Sequence, residues 1–167
     1  SMDGNLVVTA AGPGTQSGAP GVKGYASITA TSGGTKKNVT LTDASNDFQQ
    51  AVKIVGADVA IKDGVASTIA GQSIGIDLGA STVSGNYTVT ASAGNITDNG
   101  ALTIAGTASF QTSTADADIV LDVGHAITGK VTLNTTGTGG DATLDNGTTA
   151  LVLGTSAASL ATSVGGN

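Results

Sequence analysis

The side chains able to move a proton, attack a bond or hold a metal are few in this chain, and they are scattered. His125, in DVGHAITG, is the only histidine, and there is no cysteine. An imidazole acts as a general base only beside a nucleophile and an orienting acid. Its surroundings supply neither, so His125 reads as a turn residue. Every acid is Asp and every cation is Lys. The pairs Asp116/Asp118 and Asp141/Asp145 have the carboxylate pairing used in glycoside hydrolysis or Ca²⁺ binding. A site that cleaves polysaccharide would also use aromatic platforms and cations near the acids. Here Arg is absent and aromatic residues make up only 2%. GTGGDATLD at 137–145 shares letters with the Ca²⁺-binding nonapeptide of β-helices, but that motif works by repetition and this stretch occurs once. These aspartates read as solvated turn residues. The chain is expected not to be an enzyme, with no catalytic, cofactor-binding or metal-ligating residue assigned and no cofactor.

The amides and hydroxyls carry the next candidates. Asn46, Asn86, Asn95 and Asn146 sit among turn formers, and Asn tolerates positive φ and bonds its own backbone. Stacked Asn could also form ladders along a rod. Asn99-Gly100 and Asn146-Gly147 are tight-turn signals. Asn-x-Thr, the glycan acceptor pattern, occurs at Asn38, Asn86, Asn95, Asn134 and Asn146, as chance provides in a Thr-rich chain. The Thr40/Thr42 and Thr88/Thr90 pairs suggest ice binding, which would need the same flat Thr array on every coil. VKIVG and SIGIDLG interrupt it.

The elements that must hold these residues are strands. Gly numbers 26 of 167 residues, and charged residues are 11% against an average of roughly 25%. Glu, Arg, Met and Gln, which suit helices, are missing or scarce, whereas Thr, Val and Ile suit pleated strands. Hydrophobic residues reach 39%, too many for a disordered chain. The net charge of −6 disfavours nucleic acid and anionic lipid as partners. No apolar run is long enough to insert in a membrane. Alternation is plain: Ala26, Ile28 and Ala30 against Ser27 and Thr29; Val39 and Leu41 against Thr40 and Thr42; Val131 and Leu133 against Thr132. Period two marks half-buried strands. The expected strands are Leu6–Ala10, Tyr25–Ala30, Val39–Thr42, Val52–Val55, Val59–Lys62 and Ile74–Leu78, then Tyr87–Ala91, Leu102–Gln111, Ile119–Asp122, Ile127–Asn134, Ala142–Asp145 and Ala150–Leu153.

A long repeat organises them. Asn5, Asn86 and Asn167, each after Gly, stand 81 residues apart (86 − 5 and 167 − 86). GNLVVTA at 4–10 lies on GNYTVTA at 85–91, YASITATS at 25–32 near TASFQTS at 107–113, NVTLTD at 38–43 on DIVLDV at 118–123, AVKIVG at 51–56 on KVTLNT at 130–135, and DVAIKDG at 58–64 on DATLDNG at 141–147. The division is a leader at 1–3, one unit at 4–84, a second at 85–165 and the start of a third at 166–167, all in one continuous solenoid. Two architectures hold many short half-buried strands: a parallel β-helix, and two tandem β-sandwich domains. The sandwich normally buries a Trp, and there is none. A thin interior filled by Val, Ile, Leu and Ala favours the all-β parallel β-helix. At ~20 residues per coil it would have about eight coils and a length on the order of 40 Å.

The stretches GNYTVTASAGNITDNGALTIAGTASFQTS at 85–113 and VTLTDASNDFQQAVKIVGADVAIKD at 39–63 resemble the repeats of large bacterial exoproteins related to filamentous haemagglutinin. The similar elements are GN-x-x-V-T-A, G-A-L-x-I-x-G-T-A-S-F and ASNDF-x-x-AV. The resemblance covers nearly all of residues 4–167. It implies a right-handed parallel β-helix in the shaft of a secreted or surface-exposed bacterial adhesin, holding a binding tip away from the cell and exported by two-partner secretion or as an autotransporter. The expected partners are neighbouring repeats of the same parent chain. The chain itself is expected to be a monomer whose unpaired ends favour end-to-end association. The alternatives are a solenoid that itself binds host or matrix carbohydrate or protein, a polysaccharide-active enzyme, and an ice-binding protein.

The alternation points Val8, Ile28, Leu41, Ile54, Ile61, Val89, Phe110, Leu121, Leu133 and Leu144 inward as the structural core. Ile54→Asp or Leu133→Asp would place an unpaired charge inside. Loss of the β signal in far-UV circular dichroism and of a thermal transition is the expected outcome.

Overall fold

The chain winds as a parallel β-solenoid. The computed structural model describes residues 1–154 and the backbone of residues 162–165, and among these residues there is no helix. The chain enters at β1 (Leu6–Ala10). The first full turn holds β2 (Gly14–Thr15), β3 (Gly21–Val22) and β4 (Ala26–Ser32), and a short hairpin joins the end of β4 to β5 (Thr35–Lys36). The second holds β6 (Val39–Leu41), β7 (Asp47–Phe48) and β8 (Val52–Gly56). The third holds β9 (Val59–Asp63), β10 (Ser67–Ile69) folded antiparallel on β11 (Gln72–Leu78), and β12 (Ser81–Val83). Then come β13 (Tyr87–Ala91), β14 (Asn95–Asp98) and β15 (Leu102–Ile104), followed by β16 (Ala108–Ala115), β17 (Ile119–Leu121) and β18 (Ala126–Ile127). The last turn has β19 (Lys130–Thr136) and β20 (Ala142–Asp145), with β21 (Val152–Leu153) and β22 (Thr162–Gly165) beyond it.

Three walls result. Wall I is the seven-stranded sheet β2-β6-β9-β13-β16-β19-β21. Wall II begins with the β3–β7 pair and continues through β11, β14, β17, β20 and β22. Wall III runs through β1, β4, β8, β12, β15 and β18. β8 bends across a corner: Val52 pairs with Leu78 of β11, and Val55 with Thr82 of β12. Walls II and III therefore merge into one 13-stranded sheet. One turn consumes between 20 residues (Val39 to Val59) and 28 (Val59 to Tyr87), the longer turn carrying the β10–β11 hairpin.

The core is a set of columns. Leu41, Ile61, Val89, Phe110 and Leu133 pair successively up wall I, and Val39, Val59, Tyr87, Ala108 and Val131 form the column beside them. Because strands of parallel turns align in register, each inward side chain rests on the one a turn below. The Tyr87 and Phe110 rings meet edge to face at 6.2 Å, a favoured aromatic geometry. Ala108 leaves room for the ring next to it. Ile28, Leu41, Ile54, Ile61, Val89, Phe110, Leu121, Leu133 and Leu144 are all buried.

Four details differ from the sequence expectation. There are about six turns, not eight, because a turn averages nearer 23 residues than 20. Val8 is 38% exposed. It stands in register with Ile28 and Ile54, but β1 is the terminal strand of its wall and no turn covers it. The expected strands Leu102–Gln111 and Ile127–Asn134 are each broken in two by a corner at Gly106 and at Gly129. There the backbone of one turn lies on that of the next: a Cβ on Gly106 would collide with the Gly85 carbonyl, and one on Gly129 with the Gly106 carbonyl. Finally, Met2, expected in a leader, forms a parallel bridge to Val22.

The 81-residue match acquires a geometric meaning. β1 and β4 lie on wall III, whereas their counterparts β13 and β16 lie on wall I. β6 and β9 lie on wall I, and their counterparts β17 and β20 on wall II. One unit is thus three turns plus one wall. Val8→Asp is expected to leave the fold and melting midpoint nearly unchanged, within about 0.5 kcal/mol as for other surface changes. The same substitution at Ile28, one turn in, is expected to abolish the thermal transition in circular dichroism.

Candidate functional site

His125 is buried at the corner between walls II and III. Its Nδ1 accepts the Leu102 N–H at 3.0 Å, which places the ring proton of the neutral imidazole on Nε2. Nε2 lies 3.0 Å from Asp98 Oδ2 without hydrogen-bond alignment. The Asp98 oxygens in turn accept the N–H groups of Asp122 and Val123, both at 3.2 Å. Related positions in other turns do the same work. Ser81 Oγ accepts the Ile54 N–H (2.9 Å) and donates to the Gly79 carbonyl (2.8 Å). Asn146 Oδ1 accepts the Ile127 N–H (2.9 Å). His125 is therefore one of a column of buried polar side chains that satisfy strand starts, with no solvent-facing nitrogen to serve a substrate.

The aspartate pairs do not converge. Asp116 Oδ1 accepts the Gly139 N–H (2.8 Å), Asp118 Oδ1 the Asp141 N–H (2.9 Å) and Asp145 Oδ1 the Gly147 N–H (2.7 Å). Each ties a loop or the next turn. Among the described residues no three acidic or imidazole side chains group to hold a metal.

The asparagines form the ladders that stacking allows. Asn38 Oδ1 accepts the Asp58 N–H (3.1 Å), Asp58 Oδ1 the Asn86 N–H (2.9 Å), and Asn86 Oδ1 both the N–H and the hydroxyl of Thr107 (2.9 Å each). Asn5 makes the Asn86 contact with Tyr25 (3.1 Å), and Asn95 supports Asp118 at another corner (2.9 Å). Asn46, fully buried, donates to the carbonyls of Leu41 and Lys62. Asn146 is equally buried, so its Asn-x-Thr is closed to a glycan. The Thr patches are not a uniform array: up wall I the outward row reads Thr15, Thr40, Ala60, Thr88, Ser109, Thr132, and the next reads Lys62, Thr90, Gln111, Asn134.

Three features escaped the sequence reading. GQSIG at 71–75 has the letters of a hydrolase nucleophile elbow. Ser73, however, sits in the antiparallel β10–β11 hairpin opposite Thr68, not on a strand-to-helix turn. The second feature is a cleft of about 310 Å³ where that hairpin leaves wall II, with Gln50, Gln72, Asp77 and Asn99 among its lining. Asp77 accepts from Thr97 (3.2 Å) and Asn99 (2.8 Å), and burial, with Asp98 nearby, raises its pKa. The third is Asp63, fully buried. Its Oδ2 accepts the Phe48 N–H (2.8 Å) and its Oδ1 the Val65 N–H (3.0 Å). Burial pushes Asp63 up to about 7 despite these bonds, and Asp47 adds to the rise. A signal for it existed: Val59, Ile61 and Asp63 share one strand face.

Asp63 makes stability depend on pH. Its ordinary value is 3.8, so between about pH 4 and pH 7 the folded chain holds a proton that the unfolded chain has released. Stability therefore falls as pH rises through that window and levels off above it. The melting midpoint is expected to drop from pH 4 to 7, with a shallower slope in Asp63→Asn. At an exposed corner, Asn86→Ala removes an acceptor of two hydrogen bonds and is expected to cost about 1–2 kcal/mol in chemical denaturation.

The family described as Repeats of unknown function (DUF5649) matches residues 1–55 and 63–134. The two segments end within β8 and β19, strands that the long repeat superposes. No curated protein and no solved structure matches the chain. With well over half its length matched, the chain belongs to the DUF5649 repeat family.

Proposed function

We propose that this chain is a structural shaft segment of a secreted or surface-exposed bacterial adhesin, not an enzyme, and that it spaces a binding tip from the cell. The observation that carries this reading is the unbroken wall I. Its seven strands join every turn by main-chain hydrogen bonds, over a core without an internal boundary. Such a stack resists bending because each turn is supported by its neighbours. The polar side chains that could do chemistry are instead used to join turns, as with His125, Asp116 and Asp118. An acidic surface keeps such rods apart.

The test is length. Small-angle scattering of the monomer should give a rod of constant cross-section. Adding one 81-residue unit should lengthen it by about 16 Å, three and a third turns at ~4.8 Å each. Two compact lobes, or a cross-section that grows with the added unit, would overturn the reading.

A further inference from the structure

We propose that the two ends of this solenoid are complementary, and that copies of the chain stack head to tail with the C-terminal end of one seated in a notch at the N-terminal end of the next. The N-terminal turn is incomplete. Met2 supplies its wall II and β1 its wall III, but wall I begins only a turn later, with β2. The vacant place is a cavity of about 290 Å³ walled by Leu6, Val8, Ile28, Leu41 and Phe48. Gly14 faces into it, in register with the buried Val39. The innermost column of wall I therefore ends on a residue with no side chain.

The opposite end has what the notch lacks. β21 belongs to wall I and is the last strand of that wall, and among the described residues nothing pairs with its outer edge. Leu153 stands in register with the buried Val131, so it faces inward, yet it is 43% exposed because no turn follows it. One end is missing a wall I strand with an apolar inward residue, and the other end offers one. β1 also has a free edge. Leu6 N–H donates to Tyr25 (2.9 Å), and by alternation the main-chain groups of Val7 and Thr9 face outward, unpaired.

A second copy is the occupant this geometry favours, because its C-terminal end would continue the ladder and apolar columns that already join each turn to the next. Parallel pairing has a direction, so an N-terminal end accepts a C-terminal end and not its own kind. The contact is heterologous and does not close, which yields linear chains of copies. This goes beyond a spacing role, which needs only the turns within one chain.

Sedimentation velocity across micromolar to high-micromolar concentrations tests it, with circular dichroism to confirm that each variant is folded. The wild-type chain is expected to form species at whole-number multiples of 15.9 kDa that grow with concentration. Val8→Lys puts a charge in the notch and Leu153→Lys spoils the insert, so each alone should sediment as a monomer. Mixed in equal amounts they should form a one-to-one dimer and nothing longer, since each retains the end the other has lost. Val7→Pro, which removes an outward N–H from β1, should weaken association in the same way without a charge. A wild-type chain that stays monomeric throughout, or association that survives both lysine variants, would overturn the proposal.

Discussion

Everything in this molecule depends on one requirement: a main chain that turns a corner must still have its N–H and C=O groups satisfied. Along the walls the parallel ladders do this automatically. At the corners the ladder lapses, and a buried unpaired N–H costs about 1–3 kcal/mol. The chain fills each lapse from the turn above or below. Asn38, Asp58 and Asn86 do so along one corner, Asn95 and Asp118 along another, and Ser81, His125 and Asn146 at a third, deep inside. The composition follows from this. Short side chains with an acceptor one carbon from Cβ reach the neighbouring turn, so Asn, Asp, Ser and Thr prevail, and Glu and Arg are too long to be useful there.

The same requirement explains why groups that look chemical are inert. A carboxylate that accepts main-chain N–H groups at a corner has a structural duty and a fixed direction. Asp98 holds two such groups and faces the His125 ring, so the imidazole and carboxylate complete a corner instead of opening onto a substrate. Asp63 takes this furthest. It reaches two N–H groups from inside the core, and desolvation leaves it poised between charged and neutral near neutral pH.

Much of this was legible in the residues, and what was not has a physical reason. Alternation in ASITATS, VTL and KVTLN locates strands and inward residues correctly, because period two is imposed by the pleat and not by the fold around it. Alternation cannot say where a wall ends: Gly106 and Gly129 look like any strand glycine, and their role depends on a backbone one turn away. Nor can it say which turn is last, which is why Val8 carries the pattern of a core residue without being covered. Strands of two or three residues, such as β3, β7 and β12, are too short to show a period at all. The corner ladders were visible only as an excess of Asn and Asp, because their bonds join residues 20 to 28 positions apart.

The mismatch between the long repeat and the winding has a consequence for any surface such repeats present. Because each unit ends one wall further round than it began, equivalent outward groups do not line up along a face. They follow a screw, a third of the circumference per unit, and return to the same side only after three units, about ten turns or ~48 Å. A flat partner lying along the rod would meet three different faces in turn and gain no avidity from identical neighbours. A partner that coils around the rod would find the same groups at every step.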